Sequence, residues 1–314
     1  MLLFFVFSSI SSDGMSVFQS SEDEIEAWEY MNITYKPEND LRFQNLIGSG
    51  RYSEVFRVIL PSGAPAAAKK LKPIDEKRLK REVYCLQLVN QSKNIIKFEG
   101  VYGDSLTPIL VTEFVKQDPP HITTYGELKW LMFSLLEALN HSHSLRIMHR
   151  DVKLQNLVFS YIEKKFALID WGLAEIFDPS YSYSINVGTK SYKAPELLFL
   201  HQMYTPSIDA WAAGCVMANL LFGTPAFFGA HDNEGVKNKQ IRFFGSNRMK
   251  HIAKAYGYTK TLPFYQSQDF LEYALPHTRH LFTNCSLNLL TDLLNPNNTQ
   301  RITPEKALES CFFE

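Results

Sequence analysis

Ile147-Met148-His149-Arg150-Asp151-Val152-Lys153-Leu154-Gln155-Asn156, followed by Leu168-Ile169-Asp170-Trp171-Gly172, is the stretch on which the reading of this chain turns. It sets a carboxylate, an amine and an amide at fixed spacing, then a second carboxylate beside a glycine. Each group has a use where a phosphoryl group is moved. Asp151 would accept the proton of an attacking hydroxyl, and Lys153 would neutralise charge on the moving group. Asn156 and Asp170 are oxygen donors suited to Mg²⁺, which bridges phosphates while keeping some of its water. Any one of these residues alone reads as a charged surface loop. The ordered set does not.

Upstream, Phe43 to Ile47 and Ser53 to Val58 read as strands around the turn Gly48-Ser49-Gly50. The pattern Gly48-x-Gly50-x-x-Ser53-x-Val55, with Arg51 and Tyr52 at its tip, would let backbone N–H groups approach phosphates. Taken alone it is a plain hairpin. The strand Ala66-Ala67-Ala68-Lys69 follows, and Glu82 lies in a helical pattern from Glu76 through Leu88. A strand lysine paired to a helix glutamate is a way of holding nucleotide phosphates. Two more strands are expected, around Ile95–Phe98 and Pro108–Thr112, and Glu113 to Pro120 reads as a linker.

Downstream of the linker the signal turns helical. Leu128, Leu131, Met132, Leu135, Leu136 and Leu139 fall on one face of a helix from Tyr125 to His143. A short strand from Phe166 to Ile169 presents Asp170. A loop rich in Ser and Tyr then leads to Lys193-Ala194-Pro195-Glu196. Asp209-Ala210-Trp211 opens an apolar helix to Phe222, and the stretch from Pro304 to Phe313 closes the chain.

Bulk properties exclude more than they assign. At 45% hydrophobic and 21% charged residues, the 314-residue chain has the composition of a soluble globular enzyme. Its net charge of −1 supplies no field toward nucleic acid or anionic membrane, so neither is expected as a partner. Cys85, Cys215, Cys285 and Cys311 are far apart with no Cys-x-x-Cys pair, and are expected as reduced thiols in the cytoplasm or nucleus, with no disulfide or zinc site. Leu2 to Ile10 is apolar but too short to span a bilayer, and lacks the basic lead of a signal peptide. Met15 is an alternative start. Ser20-Ser21-Glu22-Asp23-Glu24 can cap a short helix, and Trp28 and Tyr30 are large rings expected to pack on something.

In chain order, the glycine loop, Lys69, Glu82, His149-Arg150-Asp151, Asp170-x-Gly172, Ala194-Pro195-Glu196, Asp209-x-Trp211 and Arg301 resemble a eukaryotic protein kinase domain over residues 28–314. Tyr52-Ser53-Glu54-Val55-Phe56, Leu71-Lys72-Pro73, Lys80-Arg81-Glu82 and Leu168 to Glu175 are similar to the casein kinase II catalytic (alpha) subunit. Trp171, where most kinases carry phenylalanine, is the most specific of these features.

The resemblance implies an α+β bilobal fold. Residues 1–40 would be an N-terminal extension on the core, 41–115 a small lobe with an antiparallel sheet and one main helix, and 116–314 a mainly helical lobe. It implies a serine/threonine protein kinase using ATP and Mg²⁺, with Asp151 as base, Lys153 at the γ-phosphate, and Asn156 and Asp170 on the metal. Lys69 would hold phosphates and Glu82 would position it. Ile47, Val55, Ala67, Val158 and Ile169 would wall the adenine slot, Thr112 would back it, and Glu113 to Val115 would give backbone hydrogen bonds. Gly48, Ser49, Gly50, Arg51, Tyr52 and Ser53 would cover the phosphates. Arg301 would pair with Glu196, and Asp209 would brace the catalytic loop.

The family's acidic-substrate preference would rest on Lys190 and Lys193, since Asn186 stands where an arginine is expected and Asp75-Glu76 interrupt a basic run. Thr112 in place of a bulky aromatic, and a shorter linker with Pro119-Pro120, argue against the family's dual use of GTP. The family implies activity without activation-loop phosphorylation, through an N-terminal segment on that loop. Its regulatory beta subunit would sit on the outer face of the small-lobe sheet, where Phe43 and Phe56 are apolar. The competing readings are a proline-directed kinase of the same group and a pseudokinase scaffold, and the complete catalytic set argues against the second.

Overall fold

Val58, Ala66 and Ala68 are fully buried while Arg57, Ile59 and Ala67 beside them are only half-buried, and this period of two makes the first part of the protein a sheet. The computed structural model describes residues 28–50, 52–118, 122 and 124–314. The expectations for residues 1–27, for Arg51 and for Pro119-Pro120 lie outside the described residues.

The strands are β1 (Tyr35–Lys36), β2 (Arg42–Ser49), β3 (Ser53–Ile59), β4 (Pro65–Leu71), β5 (Phe98–Tyr102) and β6 (Ile109–Glu113), in the order β1-β5-β6-β4-β3-β2. All pair antiparallel except β1, which joins β5 in parallel. The sheet is therefore not purely antiparallel, and its edge strand comes from the segment expected to be an extension. Helix α1 (Glu76–Val89) buries Leu79, Glu82, Val83 and Leu86, a spacing of three and four that puts one carboxylate on its apolar face. Asp75, expected to weaken an anion-binding run, is the helix N-cap and accepts from the Lys77 N–H at 3.1 Å.

The remainder is mainly helical. Helix α2 (Tyr125–Ser144) opens on a capping box between Thr124 and Glu127 and buries the leucine face named above. It delivers the chain to β7 (Ile147–Met148), then β8 (Leu157–Ser160), β9 (Lys165–Leu168) and β10 (Glu175–Ile176), where β8 pairs β9 and β7 pairs β10. The helices α3 (Pro195–Leu198), α4 (Ser207–Leu221), α5 (Asn233–Phe244), α6 (Ser246–Ala255), α7 (Asn284–Leu293) and α8 (Pro304–Ala307) follow. Helix α4 is buried from Ile208 to Leu221 and is the axis of this part. The architecture is α+β, a six-stranded sheet part followed by a helical part, consistent with the bilobal expectation. Among the described residues no helix is long and apolar enough to cross a membrane.

Two expectations fail here. The strand placed at Ile95–Phe98 begins only at Phe98, because Ile95 bridges Leu168 and the Ile96 N–H donates to the Leu168 carbonyl at 3.2 Å. Those residues tie the sheet part to β9 instead of extending β5. Cys285 and Cys311 are not separate thiols; they are joined in a disulfide, with Cα atoms 5.6 Å apart. They lie 26 residues apart in sequence, and the fold brings the end of the chain back to the start of α7.

Candidate active site

The catalytic loop is held from beneath. Asp209, in the first turn of α4, accepts from the backbone N–H of His149 and of Arg150, both at 2.8 Å, and lies 3.0 Å from His143 Nε2. Burial pushes its carboxyl up, but the bond to His143 and the nearby histidines outweigh this and hold it below the ordinary range. Those bonds fix Arg150 at φ +63°, a left-handed conformation that costs a non-glycine residue about 1–2 kcal/mol. The Arg150 guanidinium donates to the Leu173 carbonyl at 2.7 Å and to Glu175 at 3.0 Å, and Arg81 of α1 reaches the same carboxylate oxygen at 2.8 Å.

With the loop fixed, its polar side chains converge. Lys153 Nζ lies 2.6 Å from Asp151 Oδ2, and the Thr189 hydroxyl donates to Asp151 Oδ1 at 2.8 Å while accepting from Lys153 at 3.1 Å. Asn156 donates through Nδ2 to the Asp151 carbonyl at 2.8 Å, which directs its amide oxygen elsewhere. Thr189 comes so close because Gly188 sits at φ +73°, where a Cβ would stand 2.6 Å from the Arg150 carbonyl oxygen. Thr189 lies in the loop that the sequence marks only as rich in Ser and Tyr, and its bonds to Asp151 and Lys153 were missed. Only its fixed place ahead of Ala194-Pro195-Glu196 signals the role.

Lys69 stands in β4 opposite Val55 and Leu110, and its Nζ lies 2.9 Å from Glu82 and 2.9 Å from Asp170. Burial alone would lower its pKa; the two carboxylates outweigh this and raise it. Asp170 mirrors it: burial raises the carboxyl, while Lys69 more than compensates and holds it below the ordinary range. Asp170 also has a left-handed backbone, at φ +63°.

These residues share the wall of one cavity of about 900 Å³, the size of a small-molecule site. Ile47, Gly48, Ser49, Gly50, Ser53 and Val55 line it from β2, β3 and the turn between them. Ala67, Lys69, Glu82, Thr112, Glu113 and Val115 line it from β4, α1 and the linker side. Asn156, Val158, Ile169 and Asp170 line it from the catalytic-loop side, and Asp151 adjoins through Asn156. Tyr52, expected over the phosphates, is exposed and is not part of this wall; it precedes β3, and its carbonyl accepts from the Lys72 N–H at 3.0 Å. Phe114 lines it within the expected stretch Glu113 to Val115, while Leu86, Leu110, Gln117, Leu154 and Leu157 also line the cavity and were not foreseen. Gln117 is fixed there by accepting from the Phe159 N–H at 3.0 Å, a contact across 42 residues that no local pattern announces.

The substrate-side lysines part company. Lys190 is exposed, with its amine on the His231 carbonyl at 2.8 Å. Lys193, expected to face substrate, is buried and donates to the Ile185 carbonyl at 2.9 Å, and burial lowers its pKa. That expectation is corrected. Of the described part of the N-terminal segment, Trp28 and Glu29 meet α1 through Arg81 and Lys77, and Arg81 in turn pairs with Glu175. Tyr30 is exposed.

Among the described residues no three His, Cys, Asp or Glu side chains cluster as a self-sufficient metal centre. One amide oxygen and one carboxylate suit a cation that takes its other ligands from phosphates and water, so Asn156 and Asp170 fit Mg²⁺. A family model described as Protein kinase domain matches residues 41–313.

Proposed function

Because the chain belongs to the protein kinase domain family, whose members use ATP and Mg²⁺ to phosphorylate proteins, we propose that it is a serine/threonine kinase similar to casein kinase II. The observation that carries this reading is the Asp151–Lys153–Thr189 triangle. A base, a cation and a hydroxyl gathered this tightly suit the short side chain of a serine or threonine. The substrate oxygen attacks the γ-phosphorus and its proton passes to Asp151; the bond from that phosphorus to the β-bridging oxygen breaks, and ADP leaves. Lys153 neutralises charge on the moving group, and Lys69, held by Glu82, grips the phosphates. Mg²⁺, when held by Asn156 and Asp170, neutralises charge on the phosphate oxygens.

Preference for acidic substrates belongs to the same proposal in a reduced form. Lys193 is buried, so of the two lysines on which the preference was expected to rest, Lys190 is the exposed one. One exposed charge contact contributes at most about 1 kcal/mol, so the preference is about fivefold or less. Activity without activation-loop phosphate is supported by Glu175, which already gives Arg81 and Arg150 the negative charge a phosphate would supply. A regulatory beta subunit as partner is supported by family likeness and by the half-exposed Phe43 packed edge-on against Phe56, 5.5 Å between centroids.

The test is a peptide array with purified protein and Mg-ATP. Serine and threonine peptides are phosphorylated, with a small gain from acidic residues after the acceptor. Transfer to tyrosine peptides alone, or a strict need for proline after the acceptor, overturns the proposal.

A further inference from the structure

Of the four cysteines, two cannot take part in solution chemistry as the protein stands. Cys85 and Cys215 are buried in the core, and burial pushes the Cys85 thiol up to about 12 and raises that of Cys215 as well. The other two are placed quite differently. Cys311 is exposed, and Cys285 is half-buried in the first turn of α7, behind the Thr283 cap.

The bond between them closes a ring around a part of the fold that matters. Inside the ring lies Arg301, whose guanidinium grips Glu196 at 2.6 and 2.9 Å and the Ser207 carbonyl at 2.9 Å. Glu196 belongs to α3, which ends the activation segment, so this ion pair seats that segment on α4. Just past the ring, Phe312 is fully buried against Tyr125, 5.3 Å between centroids, and Phe313 packs on Phe133 at 5.4 Å, both rings on α2. Tyr125 in turn lies 3.4 Å from Thr283 through its hydroxyl. The disulfide thus ties the end of the chain to α7 at the point where α2, which leads to the catalytic loop, receives it.

We propose that Cys285 and Cys311 form a reversible thiol–disulfide site, a latch whose closure stabilises the seat of the activation segment and whose opening lowers thermal stability. Closure needs an oxidant, and a low-molecular-weight disulfide such as oxidised glutathione serves. The exposed Cys311 thiolate attacks one sulfur of it, forming a mixed disulfide and releasing one thiolate. The Cys285 thiolate then attacks the Cys311 sulfur and expels the second, so that two protein thiols are oxidised and one external disulfide becomes two thiols. A dithiol reverses the sequence and opens the latch.

The experiment uses the full chain equilibrated in glutathione buffers of graded ratio, read by native maleimide labelling with intact mass and by thermal unfolding. Oxidised protein is expected to take no label and reduced protein at least one, with Tm falling by about 5–10 °C on reduction, as expected for opening a loop of this length. Cys311→Ser, a change at an exposed position, should melt like the reduced wild type in every buffer. Labelling under excess oxidised glutathione would overturn the proposal. So would a bond that persists in excess dithiol, or a wild-type Tm that does not move with the buffer.

Discussion

Asp151 and Thr189 together define the reacting corner, and each can be tested separately. Asp151→Asn keeps the shape of the side chain but cannot take a proton. It is expected to lower kcat by about 10²–10⁴-fold, with ATP affinity unchanged by calorimetry. Unchanged kcat would remove Asp151 from its role. Thr189→Val deletes one hydroxyl that donates to Asp151 and accepts from Lys153. Hydrogen bonds to charged groups contribute about 1.5–3 kcal/mol, so a loss of about 10–100-fold in kcat/KM for a peptide is expected, with Thr189→Ser restoring most of it. A valine variant with the wild-type rate would make the hydroxyl a bystander. Asp151, Lys153 and Asn156 were legible because each lies within a few residues of the next, and Asp170 because it stands beside Gly172 in the next piece of the ordered motif. Thr189 was not, since its contact with Asp151 spans 38 residues and depends on the left-handed Gly188.

Among the elements, the first turn of α4 holds the catalytic loop through Asp209. Asp209 binds two consecutive backbone N–H groups of the catalytic loop, and its folded-state pKa lies below the unfolded value of about 3.8. A depressed carboxyl stabilises the fold above the unfolded pKa, and that contribution disappears as pH falls through the folded value. Tm is therefore expected to fall on acidification below about pH 4, and Asp209→Asn should lower Tm at neutral pH and flatten the acid limb. An unaltered acid limb would sink the assignment. Helices α1 and α2 were readable from apolar spacing, since each buries one face, and α4 from its apolar run, since it is buried on all sides. The strand near Ile95 was misplaced for a reason periodicity does not report. Its residues are apolar whether they pair within the sheet or with β9, and only the hydrogen bonds to Leu168 decide between these. Lys193 misled in the same way: a lysine in a loop reads as exposed, and the Ile185 carbonyl that captures it is formed by the fold.

On the scale of the whole molecule, Arg301 and Glu196 join positions 105 residues apart with both side chains fully buried. Arg301→Leu leaves a buried carboxylate without its partner and is expected to cost about 3–5 kcal/mol, read as a shift of the urea midpoint. A shift under about 1 kcal/mol would show that water reaches Glu196. The family match begins at residue 41, yet the sheet begins earlier, at Tyr35–Lys36. Lys36 anchors that strand by donating to the Glu99 carbonyl at 2.8 Å, with its amine 5.3 Å from the Tyr102 ring. The two-residue strand works as a guard rail along β5, covering backbone groups that would otherwise invite a second chain. A version trimmed to the homologous boundary should accordingly bind nucleotide and yet self-associate in light scattering, while one beginning at Trp28 stays monodisperse; the unit that folds cleanly is longer than the unit that homology marks.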